Sequence, residues 1–210
     1  MKAVELFDLL QQYSTKPLTT LCRLHFAEPR IPCPKSKFFC GKESVTDVLD
    51  FDDVKDKFCR EESIHPTWKS VDAVLSKEDI FVFVEIKSWR NFESFHLDDA
   101  DSEEDRNAKV TAQAQGFKLK EKIDCSMMIC QGLAKDEKLF GPIPTMYVLV
   151  TDVETVLNPL VRLRAQLGVL AYKAVNIPLY TNASMAELNA LGMNVRYKNC
   201  REFDAFIDSL

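Results

Sequence analysis

The chain is predicted to fold as an α/β sandwich, in which helices flank a central mixed β-sheet. Residues 3–13 place apolar side chains at helical spacing, whereas residues 70–75 and 80–86 are short apolar segments rich in β-branched residues, as strands are. Further helix-like and strand-like segments follow, which is the mixture expected of layers packed around one sheet. The 210 residues suit a single domain, with a core at about 44–180 and an N-terminal extension of helix and loop.

The first part of the chain is predicted to contain two helices separated by a loop. Apolar residues at every third or fourth position predict a helix over residues 3–13. Prolines and a glycine break residues 28–42 into an irregular loop, which follows a short segment at 21–26. Residues 44–60 return to helical spacing and are predicted to form the second helix.

A hairpin and two further strands are predicted in the middle of the chain. Four polar residues, 76–79, join the strands at 70–75 and 80–86, and this short connection predicts antiparallel pairing. Apolar residues at 125–130 and 145–150 are predicted to form two more buried strands.

Between the hairpin and those strands, acidic residues crowd the segment 93–107. We predict an exposed, mobile loop there, and the alternative is an acidic flap that swings away before a polyanion enters. A helix is predicted over residues 108–122.

The last third is predicted to be mostly helical. A long helix with leucines along one stripe is predicted over 157–174. Short edge strands are predicted at 177–180 and 194–197. Short helices are predicted at 185–191 and 203–210.

The charge balance argues against a protein that coats DNA. Net charge is -5, and such proteins bind by broad neutralisation of phosphates. An enzyme with a local basic groove remains compatible with this charge. Two basic clusters are available for such a groove, namely Lys118, Lys120 and Lys122, and Arg162 with Arg164. For both clusters, a solvated helix face is the plainer interpretation.

Cysteine usage and hydropathy favour a cytoplasmic protein that does not enter the membrane. The seven cysteines form no Cys-x-x-Cys pair, which argues for free thiols in a reducing compartment and against a structural zinc site. No apolar run approaches the roughly 20 residues that a membrane-spanning helix requires.

Three ionisable residues stand where the hairpin strands are otherwise apolar. Asp72 lies within the first strand, and Glu85 and Lys87 close the second. Side chains two apart on a strand share a face, so Glu85 and Lys87 point to one side and Ile86 to the other. Strand pairing can bring Asp72 beside Glu85, and two adjacent carboxylates repel each other unless a cation lies between them.

Oxygen ligands of this kind suit Mg²⁺, or Mn²⁺ in its place. Asp72 and Glu85 would supply carboxylates and Ile86 its carbonyl oxygen, and the ion would keep part of its water shell. Lys87 is then placed to orient or deprotonate the attacking water, or to stabilise charge that develops on phosphorus.

The spacing resembles that of the PD-(D/E)XK nuclease superfamily. Val71-Asp72 is followed thirteen residues later by Glu85-Ile86-Lys87, although Val71 stands where the superfamily's name has proline. The superfamily includes restriction endonucleases, RecB-like exonucleases and Holliday-junction resolvases, and the resemblance covers roughly residues 60–150. It implies a restriction endonuclease-like three-layer sandwich.

The resemblance also implies a glutamate near the metal, from a helix that precedes the hairpin. Glu62 is the preferred candidate, and Glu28, Glu43 and Glu61 remain alternatives.

A helix after the hairpin carries, in RecB-like members, a glutamine followed four residues later by tyrosine. Here Gln113 is followed by Phe117, so the aromatic ring is kept without its hydroxyl. The resemblance therefore implies that Gln113 steadies Lys87 or a phosphate, with Gln115 and Lys118 as alternatives.

Two other residues near the hairpin are weaker candidates. Trp89 follows Lys87 closely and can stack on an unpaired base, although a core or rim position is the plainer expectation. His65 can reach the site from the loop before the first strand, although a lone histidine is more often structural.

The expected function is metal-dependent hydrolysis of phosphodiester bonds in DNA, or less favourably RNA, by an endonuclease or an exonuclease. The alternative is a catalytically inactive nuclease-fold protein that serves as a binding or accessory subunit. A chain of this length has little room for a separate recognition module, so a homodimer or a DNA-recognition partner is expected to supply specificity.

Overall fold

A mixed β-sheet organises the part of the chain that the computed structural model describes, namely residues 1–27, 44–64, 68–98, 100–155 and 171–210. Side chains are described within these ranges except at 25–27 and 171–175. Among these residues the sheet has six strands: β1 (Thr19–Thr20), β2 (Asp47–Asp50), β3 (Ala73–Lys77), β4 (Ile80–Lys87), β5 (Thr145–Thr151) and β6 (Asn194–Asn199).

Helices precede, connect and follow the strands. Those within the described ranges are α1 (Ala3–Tyr13), α2 (Leu21–Ala27), α3 (Phe51–Glu61), α4 (Trp89–His96), α5 (Glu103–Gly116), α6 (Leu119–Ala134), α7 (Ala171–Asn189) and α8 (Cys200–Asp208). No helix in these ranges has both the length and the apolar run needed to cross a membrane.

The strands lie in the sheet in the same order as in the chain. Neighbours are antiparallel from β1 to β4, whereas β4 with β5 and β5 with β6 are parallel. A two-residue turn at Glu78 and Asp79 joins β3 to β4 and fixes a register that runs from Lys77 opposite Ile80 to Ala73 opposite Val84. The sheet is therefore mixed, and β4 lies inside it.

Both faces of the sheet are buried under helices. Alternate side chains of a strand point to opposite faces, and in β4 Phe81 and Phe83 pack with α1 and α3 to α7, whereas Val82 and Val84 pack with α2 and α8. Burial on both sides explains why β4 is a nearly continuous apolar run.

Several predicted elements are confirmed. The predicted helix 3–13 coincides with α1. The antiparallel hairpin is β3 and β4, although its turn is two residues long rather than four. The predicted strands at 145–150 and 194–197 are β5 and the edge strand β6.

The predicted helix over residues 44–60 is wrong in its first half. β2 occupies Asp47–Asp50 and pairs with both β1 and β3 before α3 begins. Asp50 ends the strand and also caps α3, because its carboxylate accepts a hydrogen bond from the Asp53 amide. Backbone hydrogen bonds to the two neighbouring strands thus hold these residues in a strand, although their apolar side chains have helical spacing.

The predicted acidic loop over residues 93–107 is wrong at both ends, and only the described residues between His96 and Glu103 lie outside helices. Helix α4 continues to His96, and α5 starts at Glu103 with Ser102 as its N-cap. Acidic residues fill the first turn of α5, where they complement the positive end of the helix dipole. The density of acid therefore marks a helix start.

Two predicted strands are helical, and one predicted helix is broken. Residues 125–130 belong to α6, and residues 177–180 belong to α7. Short apolar runs do not distinguish a strand from a buried helix face. The predicted helix at 108–122 is divided into α5 and α6 at Lys118, which has φ of 55°.

Some predictions lie on residues outside the described ranges. These are the loop at 28–42, the greater part of the helix at 157–174, and the individual residues Glu28, Glu43, His65, Arg162 and Arg164.

Candidate functional site

Four charged side chains meet at the open end of the β3–β4 hairpin. Ala73 is paired with Val84, so Asp72 just before β3 lies opposite Glu85 on β4. Lys87 follows two residues later on the same face as Glu85, and Lys122 reaches the pair from α6. Ile86 packs on the opposite face, as strand alternation requires.

The two ammonium groups converge on one carboxylate oxygen. Lys87 Nζ and Lys122 Nζ each lie 2.5 Å from Glu85 Oε1. Lys122 Nζ also lies 3.5 Å from Asp72 Oδ1, so that one ammonium group links both acids. The other Asp72 oxygen, Oδ2, accepts a hydrogen bond of 2.6 Å from the Ile86 amide.

Burial within this group is uneven. The Glu85 side chain is fully buried, whereas the side chains of Asp72, Lys87 and Lys122 are 26%, 24% and 16% exposed. A buried carboxylate is unfavourable unless charge and hydrogen bonds compensate it, and here two cations do so. The partly exposed side chains leave one edge of the group open to solvent.

Two buried oxygen atoms beside the group lack a partner. Within the described part of the chain, neither Glu85 Oε2 nor the Tyr147 hydroxyl has a hydrogen-bond partner. Tyr147 shares a face of β5 with Leu149, which is paired with Glu85. Burial, together with the charges of Glu85 and Asp72, raises the pKa of Tyr147 well above its usual range. Glu85 Oε2 is therefore an acceptor that the described protein atoms do not satisfy.

The charges of this group are strongly coupled. Burial and the neighbouring Asp72 carboxylate raise the pKa of Glu85 to about 7, against the opposing effect of Lys87 and Lys122. Burial alone would lower the pKa of Lys87, but the carboxylates of Glu85 and Asp72 outweigh it and hold that pKa above its usual range. Lys87 is thus a cation at neutral pH, suited to stabilising negative charge rather than to accepting a proton.

The aromatic ring implied by the resemblance lies next to this group. Lys87 Nζ is 5.8 Å from the centre of the Phe117 ring, within the range of a cation–π contact. Gln113 is half-buried one turn earlier on α5, and in the described residues its amide makes no hydrogen bond to the four charged side chains. The structure thus brings Phe117, rather than the Gln113 amide, to Lys87.

Glu62 is not brought into the group. The Phe51 amide at the start of α3 donates a hydrogen bond to the Asp72 carbonyl oxygen, whereas Glu62 caps the other end of this helix and is exposed. Eleven residues of helix separate these ends by roughly 17 Å. Its alternative Glu61 accepts a hydrogen bond from Tyr13 instead.

Lys122 is the member of the site that the sequence reasoning missed. Lys118 and Lys120 are exposed, and Lys120 is paired with Asp124, whereas Lys122 turns inward. A signal was present, because Lys122 stands three residues after Leu119 and next to Ile123, which are both buried positions of α6. The interpretation as a solvated helix face therefore holds for Lys118 and Lys120 but not for Lys122.

Trp89 belongs to the core. It is fully buried, stacks on Tyr180 with ring centres 4.7 Å apart, and donates its indole N–H to Ser184 Oγ at 3.3 Å. The plainer of the two expectations for Trp89 is therefore correct.

The group offers a cation the oxygen atoms of two carboxylates, those of Asp72 and Glu85. In the ranges that the structure describes, no cluster of three or more His, Cys, Asp or Glu side chains is assembled for a metal. Asp72 and Glu85 nevertheless lie opposite each other, and Glu85 Oε2 is unsatisfied. Mg²⁺ commonly binds proteins through one or two carboxylates together with water and phosphate.

Comparison of the chain with protein-family models, with curated proteins and with solved structures finds no match in any of the three.

Proposed function

We propose that this protein is a metal-dependent nuclease of the PD-(D/E)XK type, with a restriction endonuclease-like fold, that hydrolyses phosphodiester bonds in DNA. The supporting observation is that Asp72, Glu85 and Lys87 meet on one face at the open end of one hairpin. Had the three groups pointed to opposite faces or separately into solvent, they would not form one centre.

Each residue has a distinct role in this proposal. Asp72 and Glu85 hold Mg²⁺ or Mn²⁺, which when bound polarises a phosphate and lowers the pKa of water. Lys87 carries a positive charge at the exposed edge, where it stabilises the negative charge that develops on the phosphate oxygens. The Phe117 ring lies beside the Lys87 ammonium and adds a cation–π contact to it.

The overall charge of -5 requires that contact with DNA be local. We propose that a second copy of the chain, or a separate DNA-recognition protein, provides the wider contacts, and that the enzyme works in the cytoplasm. RNA is the less favoured substrate.

A second candidate is a nuclease-fold protein that binds without hydrolysis. The observation that favours it is the position of Lys122, whose ammonium group contacts both carboxylates. Two lysines then face two acids, so the positive charges needed to balance both carboxylates are present without a metal ion.

Cleavage of plasmid and of single-stranded DNA in Mg²⁺ or Mn²⁺ tests the proposal. We expect metal-dependent cleavage that EDTA stops, and a rate lowered roughly 100-fold or more in Asp72→Asn and Lys87→Met. Lys120→Met is the matched control, because Lys120 is exposed and paired with Asp124 outside the group, and it should retain the wild-type rate.

Thermal unfolding of each variant shows whether it is folded. A folded wild-type protein that leaves DNA and RNA intact with either metal would contradict the nuclease proposal and favour the second candidate.

A further inference from the structure

We propose that the ammonium group of Lys122 competes with the divalent ion for the space between Asp72 and Glu85. In the absence of the ion, Lys122 holds the two carboxylates together, and binding of the ion requires it to withdraw. This inference rests on the proposed function in one respect only, namely that a divalent ion uses Asp72 and Glu85.

The contacts distinguish Lys122 from the other lysine. Lys87 forms an ion pair with Glu85 but not with Asp72. Lys122 Nζ, in contrast, lies 2.5 Å from Glu85 Oε1 and 3.5 Å from Asp72 Oδ1. A cation that contacts both carboxylates takes the position that a shared metal ion would need. An ammonium group in that position must move before a divalent ion can take it, because the two would occupy the same space and also repel each other.

The origin of Lys122 in the fold allows it to withdraw. Lys87 extends from β4, inside the sheet, whereas Lys122 extends from the start of α6. The Lys122 ammonium group is carried on a flexible four-carbon stem. The Lys122 side chain is 16% exposed, so part of it already reaches solvent. It can leave the acids by rotation about side-chain bonds, with α6 in place.

The acids themselves require some cation. Without Lys122 or a metal ion, Asp72 and Glu85 face each other, and among the described residues Lys87 alone keeps an ion pair, with the fully buried Glu85. Repulsion between paired carboxylates is relieved by a cation that binds both. Removal of Lys122 should therefore make the site more dependent on a divalent ion and more receptive to it.

Binding of Mn²⁺, followed by electron paramagnetic resonance of the free ion, tests this inference on the full chain. We expect Lys122→Met to bind Mn²⁺ roughly tenfold more tightly than the wild type, since it removes a charge-assisted contact that the ion must break. Lys122→Arg keeps the charge and should bind as weakly as the wild type. Lys120→Met should also match the wild type.

A second measurement separates competition from a purely structural role. Without a divalent ion, Lys122→Met should unfold at a lower temperature than the wild type, and Mn²⁺ should raise that temperature more in the variant than in the wild type. Asp72→Asn combined with Lys122→Met should lose the gain in affinity, which places the ion at these acids. Lys122→Gln replaces the methionine variant if the latter does not fold.

The outcomes separate this inference from the proposed function. Equal Mn²⁺ affinity in the wild type and in Lys122→Met would overturn the competition and leave the nuclease proposal to the cleavage assay. Binding by the variant but not by the wild type would support the competition and contradict the nuclease proposal. Absence of binding in both proteins would overturn the competition.

Discussion

At the scale of single residues, one buried acid determines the character of the site. Glu85 is fully buried, yet it contacts two lysines and lies opposite a second acid. Its contacts are made where water is excluded and where electrostatic interactions are stronger than at the surface. The strength of these contacts should therefore exceed that of ion pairs elsewhere in the chain.

A double-mutant cycle on Glu85 and Lys87 measures this difference. We expect a coupling free energy of roughly 1–3 kcal/mol between Glu85→Gln and Lys87→Met in urea unfolding, because the contact is desolvated. The matched control is the exposed pair of Lys120 and Asp124, whose atoms are 2.6 Å apart, and its coupling should stay below about 0.5 kcal/mol. Equal coupling free energies for the two pairs would show that burial does not strengthen the ion pair.

At the scale of elements, the corner between α5 and α6 shapes the rim of the site. Lys118 adopts the left-handed conformation there, ending one helix and starting the next. The corner places Phe117 beside Lys87 and directs Lys122, one turn further on, toward Glu85. Helix α6 ends in the same way, at Lys135 with φ of 53°.

Replacing Lys135 by glycine should stabilise the protein by about 0.5–1 kcal/mol. A left-handed residue with a side chain is strained, and glycine is the residue that most often ends helices in this conformation. Lys135 is exposed, so the change removes no packing. Urea unfolding measures the effect. Lys120→Gly, inside the same helix, should instead lower stability by about 1 kcal/mol.

At the scale of the whole molecule, Asp204 fastens the C-terminal helix to the segment before β2. Its carboxylate accepts four hydrogen bonds, from the hydroxyls of Ser44 and Thr46 and from the amides of Val45 and Thr46, at 2.6 to 3.2 Å. Burial works to raise the pKa of Asp204, but these hydrogen bonds outweigh it and lower that pKa. Residues about 160 positions apart are thus joined through one side chain.

Asp204→Asn should lower the free energy of unfolding by about 1–3 kcal/mol at neutral pH, since an amide does not accept all four bonds. Because the pKa is lower in the folded state, the wild-type advantage is present above the unfolded pKa of about 4 and disappears as the pH falls through the folded value. Unfolding in urea from pH 7 to pH 3 measures this. Asp208→Asn, exposed on the same helix, should show little effect at any pH.

The sequence was sufficient to predict the hairpin and the shared face of Glu85 and Lys87. Strand alternation is a local property of the backbone, so Glu85 and Lys87 had to share a face. The apolar strands and the short polar connection predicted antiparallel pairing, but a connection of four residues would set Asp72 opposite Phe83. The two-residue turn shifts the register by two and places Asp72 opposite Glu85. The same kind of local pattern predicted α1 and β5.

Tertiary structure alone decided which other residues join the site. Residues 125–130 form a helix because burial and packing, rather than their short apolar run, select the conformation. Lys122 reaches Glu85 across 37 positions of the chain, whereas Glu62 is carried away along α3. Such contacts depend on how helices pack against the sheet, and neighbouring residues in the sequence do not encode that packing.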